Sequence, residues 1–341
     1  MSLKNLNVIK THKVLLKKLS NKKIKYLFDL FEKELAINDK FAVAVSGGPD
    51  SLALAFLSKV YSIKHKLSVK FFIINHKLRA DSSVEAKKVK NELKKLEIKA
   101  QIFNWNGKKP KTNIQSIARK KRYELLFSEC KKKKINNLLL GHHIDDLYEN
   151  FFIRIIRGSG LKGIASFEKI KKIEDIKLIR PLIAFDKTDL IFISKYVFNF
   201  FIEDPSNENL NFTRVRVRNL ISNLKEEGFD KSKLFLTTKN LRKSNQAISF
   251  FVEKNIKINS FFNQKKKQLI LNEKFFKNPY EVIFRSLSDS IRLIGGRYNP
   301  VRGKKIDNIL KKIGNNVLVK ETLGGCIIKK VNQTVIISKE C

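Results

Sequence analysis

The chain has 341 residues, more than one hydrophobic core organises and enough for a main domain with a smaller annex. Hydrophobic residues make up 43% of it, which excludes a disordered polyelectrolyte. Lysine and arginine total 71 against 32 acidic residues, and the resulting net charge of +39 points to a polyanion such as nucleic acid rather than a neutral small molecule.

In chain order, a lysine-rich lead is followed by helical spacing over 24–35 and by Phe41 to Val45, a short apolar run that ends at glycines as a buried parallel strand does. A helix over 50–61, a strand over 69–75, a helix over 83–96 and a strand over 100–105 continue the alternation. The spacing then predicts a helix over 114–130, a strand over 137–140 and a helix over 145–157. Arg180-Pro181-Leu182 reads as a strand and 186–200 as a helix, before the polar stretch 203–211 and the segment Arg214 to Asn219. Strands alternating with helices of this length predict an α/β fold, a parallel sheet with helices on both faces, whose ligand site lies at the carboxyl ends of the strands. Beyond residue 225 the alternation fades into short strands over 269–271, 317–319, 326–329 and 335–337, which places a boundary between residues 1–225 and an α+β annex at 226–341.

No run of the sequence reaches the ~18 apolar residues of a membrane span, and the basic N-terminal extension, to about residue 23, lacks a signal-peptide core, so a cytoplasmic protein is expected. Cys130, Cys326 and Cys341 form no CxxC pair, which argues against a zinc site or a disulfide framework.

Two segments carry chemistry. A buried strand that ends in Ser46-Gly47-Gly48 and turns at Pro49-Asp50-Ser51 into a helix offers backbone N–H groups and a helix N-terminus to one anion. The Ser46 and Ser51 hydroxyls can add donors and Asp50 can hold Mg²⁺ against phosphates, although Gly-Gly alone also makes a plain turn. No lysine follows the glycines, so this is not the GxxxxGK[ST] loop. In Gly141-His142-His143-Ile144-Asp145-Asp146-Leu147-Tyr148-Glu149-Asn150, the spacing of His142, Asp146 and Glu149 puts them on one face at a helix start. Such a cluster suits a cationic amine, a metal or both.

The first segment resembles the SGGxDS signature of the N-type ATP pyrophosphatases, or PP-loop superfamily, which cleave ATP to AMP and pyrophosphate. Further pieces follow in order: Asn75-His76-Lys77-Leu78-Arg79, Ala118-Arg119, Arg122-Tyr123-Glu124, the histidine–aspartate segment, Arg157-Gly158-Ser159-Gly160, Arg180-Pro181-Leu182, Glu203-Asp204-Pro205-Ser206-Asn207 and Arg218-Asn219. Together they are similar to the bacterial tRNA(Ile)-lysidine synthases over roughly the first two thirds of the chain.

The resemblance implies a ligase that adenylates C2 of the wobble cytidine of CAU-anticodon tRNA(Ile) and joins free L-lysine there through its ε-amine, releasing AMP and pyrophosphate. It implies catalytic roles for Asp50, His142, Asp146, Glu149 and Arg122, and lysine binding by Asp146 and Glu149. ATP would be held by Ser46, Gly47, Gly48, Pro49, Asp50, Ser51, His76, Arg79 and Gly141, with Mg²⁺ on Asp50. Arg119, Arg157, Arg214 and Arg218 would face tRNA, Arg157 beside the substrate cleft, and residues 226–341 would form a tRNA-binding region. Asn75 stands where the family often has an acidic residue, and Lys77 where it commonly has glycine. The alternatives are a PP-loop base 2-thiolase, which needs cysteines to carry sulfur, and a non-catalytic RNA-binding relative; no protein partner is evident, with a homodimer left open.

Overall fold

The computed structural model describes residues 12–78, 81–107, 114–203, 211–296 and 301–340. The chain divides into two compact units, Met1–Asp230 and Lys231–Cys341.

The first unit is built on a six-stranded sheet in the order β3-β2-β1-β4-β6-β5. Its strands are β1 (Phe41–Val45), β2 (Val69–Asn75), β3 (Ala100–Asn104), β4 (Asn137–Leu139), β5 (Ile170–Ile173) and β6 (Ile176–Ile179). After a single helical turn at Lys13–Lys17, its helices are α1 (Lys22–Glu34), α2 (Pro49–Lys64), α3 (Ser82–Lys95), α4 (Ile114–Lys132), α5 (Ile144–Ile156), the short α6 (Leu161–Ile164), α7 (Lys187–Phe198) and α8 (Thr213–Glu226). β1 is a continuous apolar run because it is central, paired in parallel with β2 on one side and β4 on the other. α2 is apolar nearly all round, with residues from Ser51 to Tyr61 buried on every face, since the sheet lies on one side and α1 and α7 cover the others. α1 buries only Ile24, Leu27, Phe28 and Phe31, one stripe at helical spacing, and Asn21 caps it by accepting from the Lys23 and Ile24 amides.

Two expectations need correction here. The strand expected at Arg180-Pro181-Leu182 lies one step earlier, at Ile176–Ile179, and Arg180 follows its carboxyl end, because proline has no N–H to continue a ladder. That strand also closes a hairpin, so the edge strand β5 is antiparallel while the other pairings in the sheet are parallel.

After β1 the chain moves outward to β2 and β3, then returns to lay β4 on the other side of β1. This reversal makes a crevice at the carboxyl ends of β1 and β4, the usual ligand position in such sheets.

The second unit carries an antiparallel sheet in the order β7-β8-β11-β10-β9. A long helix α9 (Lys231–Asn259) leads into β7 (Ser260–Asn263) and β8 (Gln268–Leu271); α10 (Tyr280–Gly295), α11 (Gly303–Gly314), β9 (Lys320–Leu323), β10 (Cys326–Val331) and β11 (Thr334–Lys339) follow. Burial alternates along β10 and β11, so one face of the sheet builds the core with Leu287 and Ile291 of α10 and Ile306, Ile309 and Ile313 of α11. The strand expected over 317–319 instead starts at Lys320. Gly324-Gly325 links β9 to β10 as a two-residue hairpin turn with φ of +70° and +80°. Among the described residues no helix is long and apolar enough to cross a membrane.

Candidate active site

Ser51, in the first turn of α2, organises the loop after β1. Its Oγ accepts from the Ser46 amide at 3.1 Å and the Gly47 amide at 3.0 Å, donates to the Gly48 carbonyl at 2.9 Å, and lies 3.2 Å from Ser46 Oγ. Gly47 has φ +93°, and a Cβ there would meet Val89 Cγ2 at 2.5 Å, so glycine is required twice over. Gly48, the N-cap residue, faces open space, and Pro49 occupies the first turn where its missing N–H is no loss. Distant residues clamp the loop: Ile202 N donates to Gly47 O at 3.0 Å and Ser194 Oγ to Pro49 O at 2.7 Å. Lys187, at the start of α7, reaches both Asp50 oxygens at 2.7 and 2.8 Å.

The loop after β4 packs directly on this one. A Cβ on Gly141 would lie 3.2 Å from the Asp50 carbonyl group, so this glycine backs the loop through close backbone approach. His143 caps α5: its Nδ1 accepts from the Asp145 amide at 3.3 Å, while its own amide donates to Asp146 Oδ2 at 3.0 Å. The buried His143 Nε2 then stands 3.8 Å from Asp50 and 3.7 Å from Asp146, bridging the two loops.

Glu149, one turn further along α5, is 4% exposed. Its Oε1 accepts from Arg218 Nε of α8 at 2.5 Å, and its Oε2 is buried without a partner. Burial raises the Glu149 carboxyl above its ordinary range despite Arg218, whereas Arg218 itself is raised by the pair against burial. For Asp146, burial favours the neutral acid, yet His142, His143 and the His143 amide hold the carboxyl below its usual range.

Arginines surround these carboxylates. Burial and the neighbouring Arg119 and Arg214 lower the Arg122 guanidinium, with Tyr123 opposing, and Arg119 stacks on the Tyr123 ring at 5.2 Å. Among the described residues no carboxylate lies within ion-pair distance of Arg119, Arg122 or Arg214, which leaves their charge available to phosphate. His76, at the end of β2, is pushed down to about 4 by burial and by Arg122, and its Nδ1 is buried without a partner. His142 Nδ1 faces Arg180 Nε at 3.2 Å; burial, against Asp146, takes this imidazole down to about 3, and Arg180, Arg119 and Arg122 push the same way.

The expected site residues thus converge, with exceptions. Arg157 ends α5, eleven residues beyond Asp146 and so about 17 Å away along the axis rather than beside the cleft. Arg218 pairs with Glu149 through Nε while its side chain stays 43% exposed. Arg79 and residues 204–210 lie outside the described residues. His143, Arg180 and Lys187 were not expected as site groups; only the N-cap position of His143 offered a sequence signal. Lys77 adopts φ +51°, the conformation glycine would favour, with its amide donating to Asn75 Oδ1 at 3.0 Å, so the two departures from the family pattern support each other. Asn75 in turn donates to Ser83 Oγ and Asn104 Oδ1, both at 3.0 Å.

A PP-loop domain family matches residues 16–225. The tRNA(Ile)-lysidine synthase of the Wolbachia of Brugia malayi is 32% identical over 322 residues, covering 92% of this chain and 73% of that one. The enzyme of that name from Orientia tsutsugamushi is 33% identical over 318 residues, covering 89% and 70%. Among solved structures, the U34-tRNA thiolase NcsA of Methanococcus maripaludis, with its [4Fe-4S] cluster, aligns at a TM-score of 0.55 and 18% identity over 66% of this chain and 78% of that one, a likeness of fold. A PP-loop crevice with a paired-carboxylate helix start beside it, together with these relatives along most of the chain, places the protein in the tRNA(Ile)-lysidine synthase family.

Proposed function

We propose that this ligase adenylates the C2 oxygen of the wobble cytidine in CAU-anticodon tRNA(Ile) and joins lysine to C2. The observation that carries the lysine half is the Glu149 carboxylate, buried next to Asp146 with Oε2 open to a donor. A buried acceptor without a partner is expensive until a cation arrives, and an amine supplies both charge and hydrogen bonds.

In the first step the cytidine oxygen attacks the α-phosphorus of ATP and pyrophosphate leaves. Gly48 and the start of α2 receive the phosphate charge, and Arg119, Arg122 and Arg214 add a cationic wall. Asp50 would hold Mg²⁺, for one carboxylate combined with phosphate oxygens is a donor set this ion uses. Mg²⁺ there would neutralise charge building on the leaving pyrophosphate, while Lys187, now on Asp50, would shift toward phosphate. In the second step Asp146 and Glu149 hold the lysine amine against C2, and one of them takes its proton. Residues 226–341 are assigned the grip on the tRNA body. A sulfur-transfer route finds no CxxC in the sequence; Cys130 is buried and its thiol pushed up to about 12 by burial.

The test is incubation with ATP, Mg²⁺, radiolabelled lysine and a CAU-anticodon tRNA(Ile) transcript. Label should enter the tRNA, and should vanish when the wobble C is changed to U and with Asp146→Asn. Label entering neither this transcript nor bulk tRNA overturns the reading.

A further inference from the structure

The contact between Arg180 and His142 limits how the histidine can act. A guanidinium carries no lone pair to offer and keeps its protons in proteins, so the 3.2 Å contact runs one way: Arg180 Nε donates and His142 Nδ1 accepts. A neutral imidazole that accepts at Nδ1 carries its proton on Nε2. Arg180 has little freedom to release the ring. It is buried, its Nη1 donates to the Glu168 carbonyl, and its guanidinium lies 4.8 Å over the Phe167 ring, which meets His142 edge-on at 5.8 Å. Among the described residues no protein group engages His142 Nε2.

We propose that His142 acts as a fixed hydrogen-bond donor through Nε2–H, serving the oxygen that leaves C2 of the activated cytidine, with Arg180 as the positioning residue that sets the tautomer. The proposal rests on the ligase reading above. In the transfer step the lysine nitrogen forms its bond to C2, the C2–O bond breaks with its electron pair going to the AMP phosphate, and the amine proton goes to Asp146 or Glu149. His142 keeps its proton throughout and stabilises charge on the departing oxygen, as oxyanion-hole donors do. Burial, with the cations Arg180, Arg119 and Arg122 around it, makes the ring a poor base at neutral pH, which agrees with the same assignment.

Two measurements on the full chain test this. The first is a two-bond ¹⁵N–¹H correlation spectrum of protein labelled in its histidine rings, with His142 assigned by the signal lost in His142→Gln. The expected result is Nε2–H with bare Nδ1, and a mixture of tautomers in Arg180→Met; a proton on Nδ1 in the unaltered protein overturns the proposal. The second is single-turnover lysine transfer. Glutamine keeps an N–H donor but is no base, so His142→Gln should stay within about tenfold of the unaltered protein while His142→Ala falls by about 10²–10³. If His142→Gln falls as far as His142→Ala, the donor role is wrong. If no lysine enters any tRNA, the ligase reading fails, and the spectrum alone still decides the tautomer.

Discussion

The two ends of the parallel sheet are made by the same strands and differ in what they bury. At the amino end a roomy hollow opens between Ala36, Asn38, Asp39, Asn136, Lys172 and Lys177, and these side chains are exposed. At the carboxyl end Ser51, His143, Glu149 and Arg180 are buried, each held by other polar groups: the loop amides, Asp50 and Asp146, Arg218, and His142. Burying such groups disfavours folding unless they are paired, so this end carries a burden that the amino end avoids. A hollow lined by exposed side chains is therefore a poor guide to the site. What marks the site is concentrated, partly unsatisfied polarity at the point where the strand order reverses.

The largest expected effect breaks the carboxyl end at its tightest point. Gly47→Ala places a Cβ 2.5 Å from Val89 Cγ2 at φ +93°, a strain of about 1–3 kcal/mol. ATP–pyrophosphate exchange should fall by at least about a hundredfold. Exchange that survives intact would mean the loop is not the ATP site.

Next comes the pair of buried Glu149 and part-exposed Arg218. Arg218→Met strips Glu149 of its partner and should lower stability in urea by about 1–3 kcal/mol, less than for a fully buried pair because the Arg218 side chain is 43% exposed. The double variant with Glu149→Gln should recover stability without recovering lysine transfer. Recovery of both would make the pair structural only.

A graded effect, spread over several pH units, is expected with acid. His142 in the folded chain is held at about 3, against an ordinary 6.5. The unfolded chain therefore binds a proton that the folded chain refuses. Stability present above pH 6.5 should be lost as pH falls toward 3, by at most about 1.4 kcal/mol per pH unit. His76, held to about 4, acts in the same sense. Equilibrium unfolding from pH 7 to 4 should show a shallower loss in His142→Gln; equal slopes would mean that this ring is solvated.

The smallest effects belong to the amino end. Asp39→Ala and Lys172→Ala should each leave stability within about 0.5 kcal/mol and exchange within about twofold. A large loss of exchange from either would erase the contrast between the two ends.

Much of this was legible in the chain itself. β1 and β2 were readable to the residue because a buried parallel strand is a continuous apolar run bounded by glycine or polar residues. The glycine loop and the face shared by His142, Asp146 and Glu149 were readable because both follow from local geometry. The β5–β6 hairpin escaped because Ile170–Ile173 is largely exposed and carries two lysines among its four residues, so it has no strand-like burial pattern to read. Lys187 on Asp50 and Arg180 on His142 escaped for a different reason. Their partners lie 137 and 38 residues away, and spacing along the chain says nothing about contacts made only by the folded sheet.

That separation sets a time order. The glycine loop is translated early, but the groups that clamp and neutralise it, Lys187, Ser194 and Ile202, come about 140–155 residues later. A nascent chain that has reached only β6 holds the complete signature and an Asp50 without its cation. Ribosome-stalled chains released in steps past residue 180 should therefore acquire nucleotide binding abruptly, when α7 and the segment through Ile202 have left the exit tunnel.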